Sequence, residues 1–229
     1  MDITGASVLI DYGSGNIRSV AKALERTADE LGIARPIVTD QAEIIASAAR
    51  VLLPGQGAYG DCLAGLKARD GVVEALEHAV QKRKVPFLGI CVGMQLLASK
   101  GFEHGEHQGL DWIGGEVRHF PPKLESQIKI PHMGWSQVSC AGSVSHPVLE
   151  KLDGESVYFA HSYIFHAADP AQVVATATHG VEVTAAVARD NILGVQFHPE
   201  KSQKVGLDLL RAFQSWRPQE HGYGLAFGR

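Results

Sequence analysis

Between Val85 and Gly93 an apolar run, Val-Pro-Phe-Leu, leads into Gly89-Ile90-Cys91-Val92-Gly93, and Met94-Gln95-Leu96-Leu97-Ala98 follows. The run reads as a buried strand and the segment beyond it as a helix, so a sharp turn must lie between them. Small residues on both sides let the backbone turn tightly enough to push the Cys91 side chain clear of the sheet. Among folds, α/β architectures place a nucleophile this way. A helix starting just beyond Cys91 aims free N–H groups and the positive end of its dipole at the sulfur, which favours thiolate over thiol. The same amides can hold the oxyanion formed when a thiolate attacks a carbonyl. The competing reading is a small core hydrophobe. A core cysteine does not need the flanking glycines, so acyl transfer by a cysteine nucleophile is the better reading.

The first hundred residues alternate strand and helix. Ala6 to Asp11 is an apolar strand, and Ile17 to Leu31 is a helix with apolar residues three and four apart. Asn16 stands at its N-cap. Pro36 to Thr39 and Val51 to Leu53 are short strands, with Asp40 a second cap. Helices follow from about Asp61 and from Val72, before the strand Val85 to Ile90. This order implies an α/β fold of three layers, a mostly parallel central sheet with helices on both faces. Beyond Leu110 come additional short strands: Glu116–Phe120, Gln137–Cys140, Ser156–Ala160, Val173–Thr178, Val183–Arg189 and Ile192–Phe197. Asp190-Asn191 joins the last two as a hairpin turn. A helix from about Gln203 to Ser215 closes the domain, taken as residues 1–216. Residues 217–229, rich in Gly and without apolar periodicity, read as a mobile tail.

A base for Cys91 is supplied by Gly194-Val195-Gln196-Phe197-His198-Pro199-Glu200. Pro199 stops the strand directly after His198, placing the imidazole at a strand end where it can meet a nucleophile on a neighbouring strand end. Glu200, two residues on, can accept from the far ring nitrogen, fixing the tautomer and supporting an imidazolium. A Cys and a His a hundred residues apart form the expected pattern for a spatial dyad.

Bulk properties exclude other classes. The 229 residues carry a net charge of −4, which offers no electrostatic footprint for nucleic acid or an anionic membrane. Lys82-Arg83-Lys84 reads as a solvated helix C-terminus. Three cysteines, one placed as a nucleophile, point to a reducing compartment. No signal peptide or membrane-length apolar run is evident, so a cytoplasmic protein is expected. His104-x-x-His107 lacks a third ligand at useful spacing, so no metal or other cofactor is expected.

Gly-Ile-Cys-x-Gly-x-Gln with a late His-Pro-Glu resembles the class I (triad) glutamine amidotransferases. Ile10 to Asn16, Leu53-Pro54-Gly55-Gln56-Gly57, Asp61-Cys62, Pro131 to Trp135, Tyr158 to Tyr163 and Gln196 to Gln203 are similar to one branch of that family. That branch comprises the glutaminase subunits of imidazole glycerol phosphate synthase. The resemblance runs from about Val8 to Phe213. It implies a Cys91–His198–Glu200 triad that hydrolyses L-glutamine through a glutamyl thioester. It further implies an oxyanion hole from Gln56, Gly57 and Val92, and substrate contacts from Gly55, Gln95, Ser162 and Tyr163. Ammonia would pass to a (β/α)8-barrel cyclase subunit, across an interface that includes Asn16, Trp135, Tyr158 and Lys201. There it would serve histidine biosynthesis, in forming imidazole glycerol phosphate and an aminoimidazole carboxamide ribotide. Gln56 departs from the family's usual Pro-Gly-Val-Gly; since the oxyanion donor is backbone, the side chain bears on how readily the loop turns.

Two alternatives remain at this point. The same triad serves relatives that deliver ammonia to pyridoxal phosphate, anthranilate or aminodeoxychorismate synthases, against which the flanking segments argue. A catalytically idle binding subunit is the other, against which the intact Cys, His and Glu argue.

Overall fold

In the computed structural model of the chain, residues 5–122, 128–140 and 146–218 are described. The first strand, β1 (Ser7–Ile10), is buried at every residue, and α1 (Ile17–Leu31), β2 (Ile37–Thr39), α2 (Ala42–Ser47) and β3 (Arg50–Gly55) follow. Next come α3 (Tyr59–Lys67) and α4 (Val72–Leu76), which a π-helical stretch, Glu77–Lys82, extends. The elbow is β4 (Phe87–Cys91) and α5 (Val92–Gln95). Two bridging pairs, β5 (Lys100–Gly101) and β6 (His107–Gln108), precede β7 (Gly115–His119) and the long β8 (His132–Cys140). The chain then runs through β9 (Ser156–His161), β10 (Tyr163–Ala167), β11 (Val173–His179), β12 (Val181–Arg189) and β13 (Ile192–Val195) to α6 (Gln203–Ser215).

Nine strands form one sheet in the order β2-β1-β3-β4-β13-β12-β11-β8-β9. The pairings from β2 to β13 are parallel and those from β13 to β9 antiparallel, so the sheet is mixed. Every residue of β1, β3, β4 and β13 is buried, which requires cover on both faces. The helices supply it in two groups, α1 packing with α6 and α2 with α4. A second, four-stranded sheet, β10-β7-β5-β6, packs against the large one where β10 meets β12. The hairpin at Asp190-Asn191 forms as expected, Arg189 pairing with Ile192 and Asp190 at φ 54°.

Several expectations need correction. Asn16 occupies the N-cap of α1, but its side chain makes no capping bond. The N-cap of α2 is Gln41, while Asp40 instead pairs with Arg69 at 3.3 Å. The helix after Cys91 is a single turn; Leu97 and Ala98 continue it only through tighter bonds to Met94 and Gln95. Ser99 then bonds the Gly115 carbonyl, redirecting the chain into β5. The last strand ends at Val195, and Gln196 to His198 are held by bonds to the Ala185 and Tyr158 carbonyls. Arg83 is not merely solvated: its guanidinium donates to the Ala46 and Ala48 carbonyls at the end of α2. Of the expected tail, residues 219–229 lie outside the described residues.

The elbow rests on one close contact. A Cβ on Gly93 would lie 1.8 Å from the Leu53 carbonyl oxygen of β3, and one on Gly55 would lie 2.6 Å from the Gly93 nitrogen. Only bare backbone lets β3 and the turn of α5 approach this closely. Gly93→Ala is therefore expected to destabilise the fold by at least ~2 kcal/mol. Urea unfolding measures this, and a wild-type midpoint would show that the approach is not as close as described.

Candidate active site

Cys91 ends β4 with φ 56° and ψ −113°, a region that residues with a Cβ avoid. Such strain persists only where surroundings enforce it, here the packing of Gly93 against β3. Its Sγ lies 3.7 Å from Gln196 Nε2 and 3.9 Å from the Ala160 carbonyl.

β4 pairs with β13 in parallel, Ile90 beside Val195, so the segment leaving β13 passes the elbow. His198 is fixed there from both ends. Its N–H donates to the Tyr158 carbonyl at 2.9 Å, and its carbonyl accepts the Ser202 hydroxyl at 2.7 Å. His198 Nδ1 lies 2.9 Å from Glu200 Oε1, and the two side chains are 4% and 1% exposed. Burial opposes an imidazolium here, but hydrogen bonding and charge from Cys91 and Glu200 overcome it and lift His198 to about 10. The proton thus resides on His198 at neutral pH, and Nδ1 donates to the carboxylate.

A cavity of about 260 Å³ opens over the sulfur. Its wall holds Cys91, His198, Gln56, Gly57, Val92, Gln95, Ser162, Tyr163 and Lys201 among the residues the sequence picked out. Glu200 stands behind His198, and Gly55 is buried against Val92 and Gly93 in β3 rather than in the wall. Asn16, Trp135 and Tyr158 also lie outside it. Trp135 and Tyr158 pair across β8 and β9 with their rings 6.0 Å apart, and Lys201 Nζ lies 5.8 Å from the Tyr158 ring.

The loop carrying Gln56 is pinned through its carbonyls. Tyr12 Oη donates to the Pro54 carbonyl at 2.6 Å and Ser14 Oγ to that of Gln56 at 2.6 Å. Cys62 Sγ reaches the same Gln56 oxygen at 3.4 Å. The Gln56 side chain is exposed, so its departure from Val adds no buried group to the wall. Gly57 takes φ 102° with open space where a Cβ would stand.

Sequence reasoning missed Glu103 and gave no role in the wall to Pro131, Met133, Ala160 and His161, which lay within its motifs. It also gave Gln196 no role, although an extended segment places residues two apart on one side and so aligns Gln196 with His198. His132 and His161 lay within motifs already noted, but their mutual bond, 2.9 Å across β8 and β9, is tertiary information. His107 Nε2 bonds the Glu103 carbonyl at 3.0 Å. Among the described residues no group of three or more His, Cys, Asp or Glu is arranged to hold a metal ion. No helix among them is long and apolar enough to cross a membrane.

The chain resembles known proteins along nearly its whole length. The chain is 51% identical over 212 residues to the imidazole glycerol phosphate synthase subunit HisH of Rhodospirillum rubrum, covering 92% of this chain and 98% of that one. It is 52% identical to the subunit of the same name from Zymomonas mobilis, covering 92% and 95%. A solved glutamine amidotransferase superimposes with a TM-score of 0.67 at 18% identity, covering 91% of this chain and 97% of that one. The sequence model of the family described as glutamine amidotransferase class-I matches residues 8–214, and the chain belongs to that family.

Proposed function

We propose that the chain is the glutaminase subunit of an imidazole glycerol phosphate synthase, acting in histidine biosynthesis with a (β/α)8-barrel cyclase subunit as its partner. The observation that carries the chemistry is the strained Cys91 beside the buried, Glu200-paired His198 in one cavity. The identity near one half to HisH subunits supports the pathway.

The Cys91 thiolate attacks the side-chain amide carbon of L-glutamine, held by Gln95, Ser162 and Tyr163 with Gly55 backing the loop. The oxyanion takes hydrogen bonds from the Val92 amide and from the Gln56–Gly57 backbone. Collapse breaks the C–N bond as His198 gives its proton to the departing nitrogen, leaving ammonia and a glutamyl thioester. Water then attacks the thioester, His198 takes its proton, and glutamate leaves as thiolate and imidazolium are restored. Glu200 holds the imidazole in the productive tautomer throughout.

The partner face we assign to Trp135, Tyr158, Lys201 and Asn16. Met133 is 64% exposed and Trp135 48%, a large apolar surface beside the cavity mouth. Aromatic and Met side chains of this kind anchor interfaces. Ammonia released at His198 would then leave into the partner rather than to solvent.

Glutamate release from glutamine, with and without the barrel cyclase and its nucleotide ligand, tests the reading. Stimulation by the partner and complete loss in Cys91→Ala are expected. Activity indifferent to that partner would reassign the pathway, and activity surviving in Cys91→Ala would overturn the mechanism. Glu200→Gln should fold yet lower kcat by about 10³-fold or more.

Since the folded value of His198 lies above its ordinary 6.5, its contribution to stability is complete below about 6.5 and lost as pH rises through about 10. Thermal unfolding of the wild type should therefore weaken across that window. Glu200→Gln should flatten the dependence, and an unchanged curve would mean the carboxylate does not support the imidazolium.

A further inference from the structure

A run of buried polar groups in and behind the cavity wall has its hydrogen-bond directions fixed. The Tyr163 carbonyl can only accept, and His161 Nδ1 lies 2.8 Å from it, so Nδ1 carries the proton. Burial, with His179 and His198 nearby, keeps His161 neutral. Its Nε2 is therefore a lone pair, and His132 Nδ1, 2.9 Å away, must donate to it. Burial and the neighbouring His161 and His179 hold His132 neutral as well. Its Nε2 then accepts the Ser136 hydroxyl at 2.8 Å. The His132 ring cannot turn out of this arrangement, being stacked between Phe159 at 4.5 Å and His179 at 4.2 Å.

The same Tyr163 carbonyl accepts Gln95 Nε2 at 3.2 Å, whose second hydrogen goes to Gln196 Oε1 at 3.0 Å. With its oxygen so engaged, the fully buried Gln196 carboxamide has Nε2 toward Cys91 Sγ. Reversing any one member would set two donors or two acceptors against each other in a dry interior, a costly mismatch.

We propose that Gln196 is a hydrogen-bond donor to the nucleophilic sulfur and that His161 and His132 are positioning residues, acting through Tyr163 and Gln95 to hold that donor in place. An N–H aimed at sulfur favours the thiolate, adding to the support from His198. The inference rests on Cys91 being the nucleophile of the proposed function.

Iodoacetamide alkylation of Cys91 against pH, resolved by peptide mass spectrometry from Cys62 and Cys140, reads the ionisation of the sulfur without glutamine. Failure of the glutaminase reading and failure of this one are thereby told apart. Gln196→Leu should raise the alkylation midpoint by about one pH unit. His132→Leu should move it the same way, and His132→Asn, which keeps an N–H near the Nδ1 position, should restore it. Nitrogen-15 NMR of the wild type, which does not depend on the variants folding, should show His161 and His132 as neutral Nδ1–H tautomers. An unchanged midpoint in a folded Gln196→Leu protein, or an Nε2–H tautomer at either ring, overturns the proposal.

Discussion

Backbone-to-backbone contact between β3 and the turn after β4 governs this molecule. The Leu53 carbonyl occupies the space where a side chain on residue 93 would stand, and a side chain on Gly55 would crowd the Gly93 nitrogen. That approach holds Cys91 in its positive-φ conformation and so lifts the sulfur off the sheet. It also brings the Gln56 loop, continuous with β3, beside the Cys91 sulfur. A packing constraint and the geometry of the proposed nucleophile are thus satisfied by the same few atoms. The strain at Cys91 is offset by the wholly buried strands on either side, which leave the elbow no room to relax.

Around this frame the charged groups are few and their surroundings selective. His198 is held up although buried, because the Cys91 sulfur and a carboxylate face it from two sides. The histidines behind it, His161 and His132, meet each other and neutral groups instead, and burial pushes them down to about 4 and about 3. One imidazolium beside two neutral imidazoles suits the proposed Cys91–His198 pair, since further positive charge nearby would disfavour a charged His198. The hydrogen-bond chain begins at Ser136 on β8, the strand whose Met133 and Trp135 form the exposed apolar surface.

Much of this was legible in the residues themselves. Alternation of apolar runs and amphipathic segments marked β1, α1, β3 and β4, because buried parallel strands are continuous apolar stretches and α1 buries one face. Cys91, His198 and Glu200 stood out through their local context of Gly, Pro and spacing. What escaped was non-local. The start of β8 at His132 is hidden by a polar, half-exposed pattern, and β10 merges with β9 across a single residue, Ser162. The single-turn length of α5 is set by the tertiary bond from Ser99 to Gly115, which no helical propensity reports. The pinning of the Gln56 carbonyl by Ser14 and Cys62 joins residues that only the fold brings together.

The central claim is that this one cysteine, among three, is the nucleophile toward the glutamine side chain. Labelling with a glutamine analogue bearing an electrophile in place of the amide tests it most directly, in the presence of the barrel partner. Covalent modification confined to Cys91, and slowed by added glutamine, is the predicted result. Modification at Cys62 or Cys140 instead, or none at all, would contradict it.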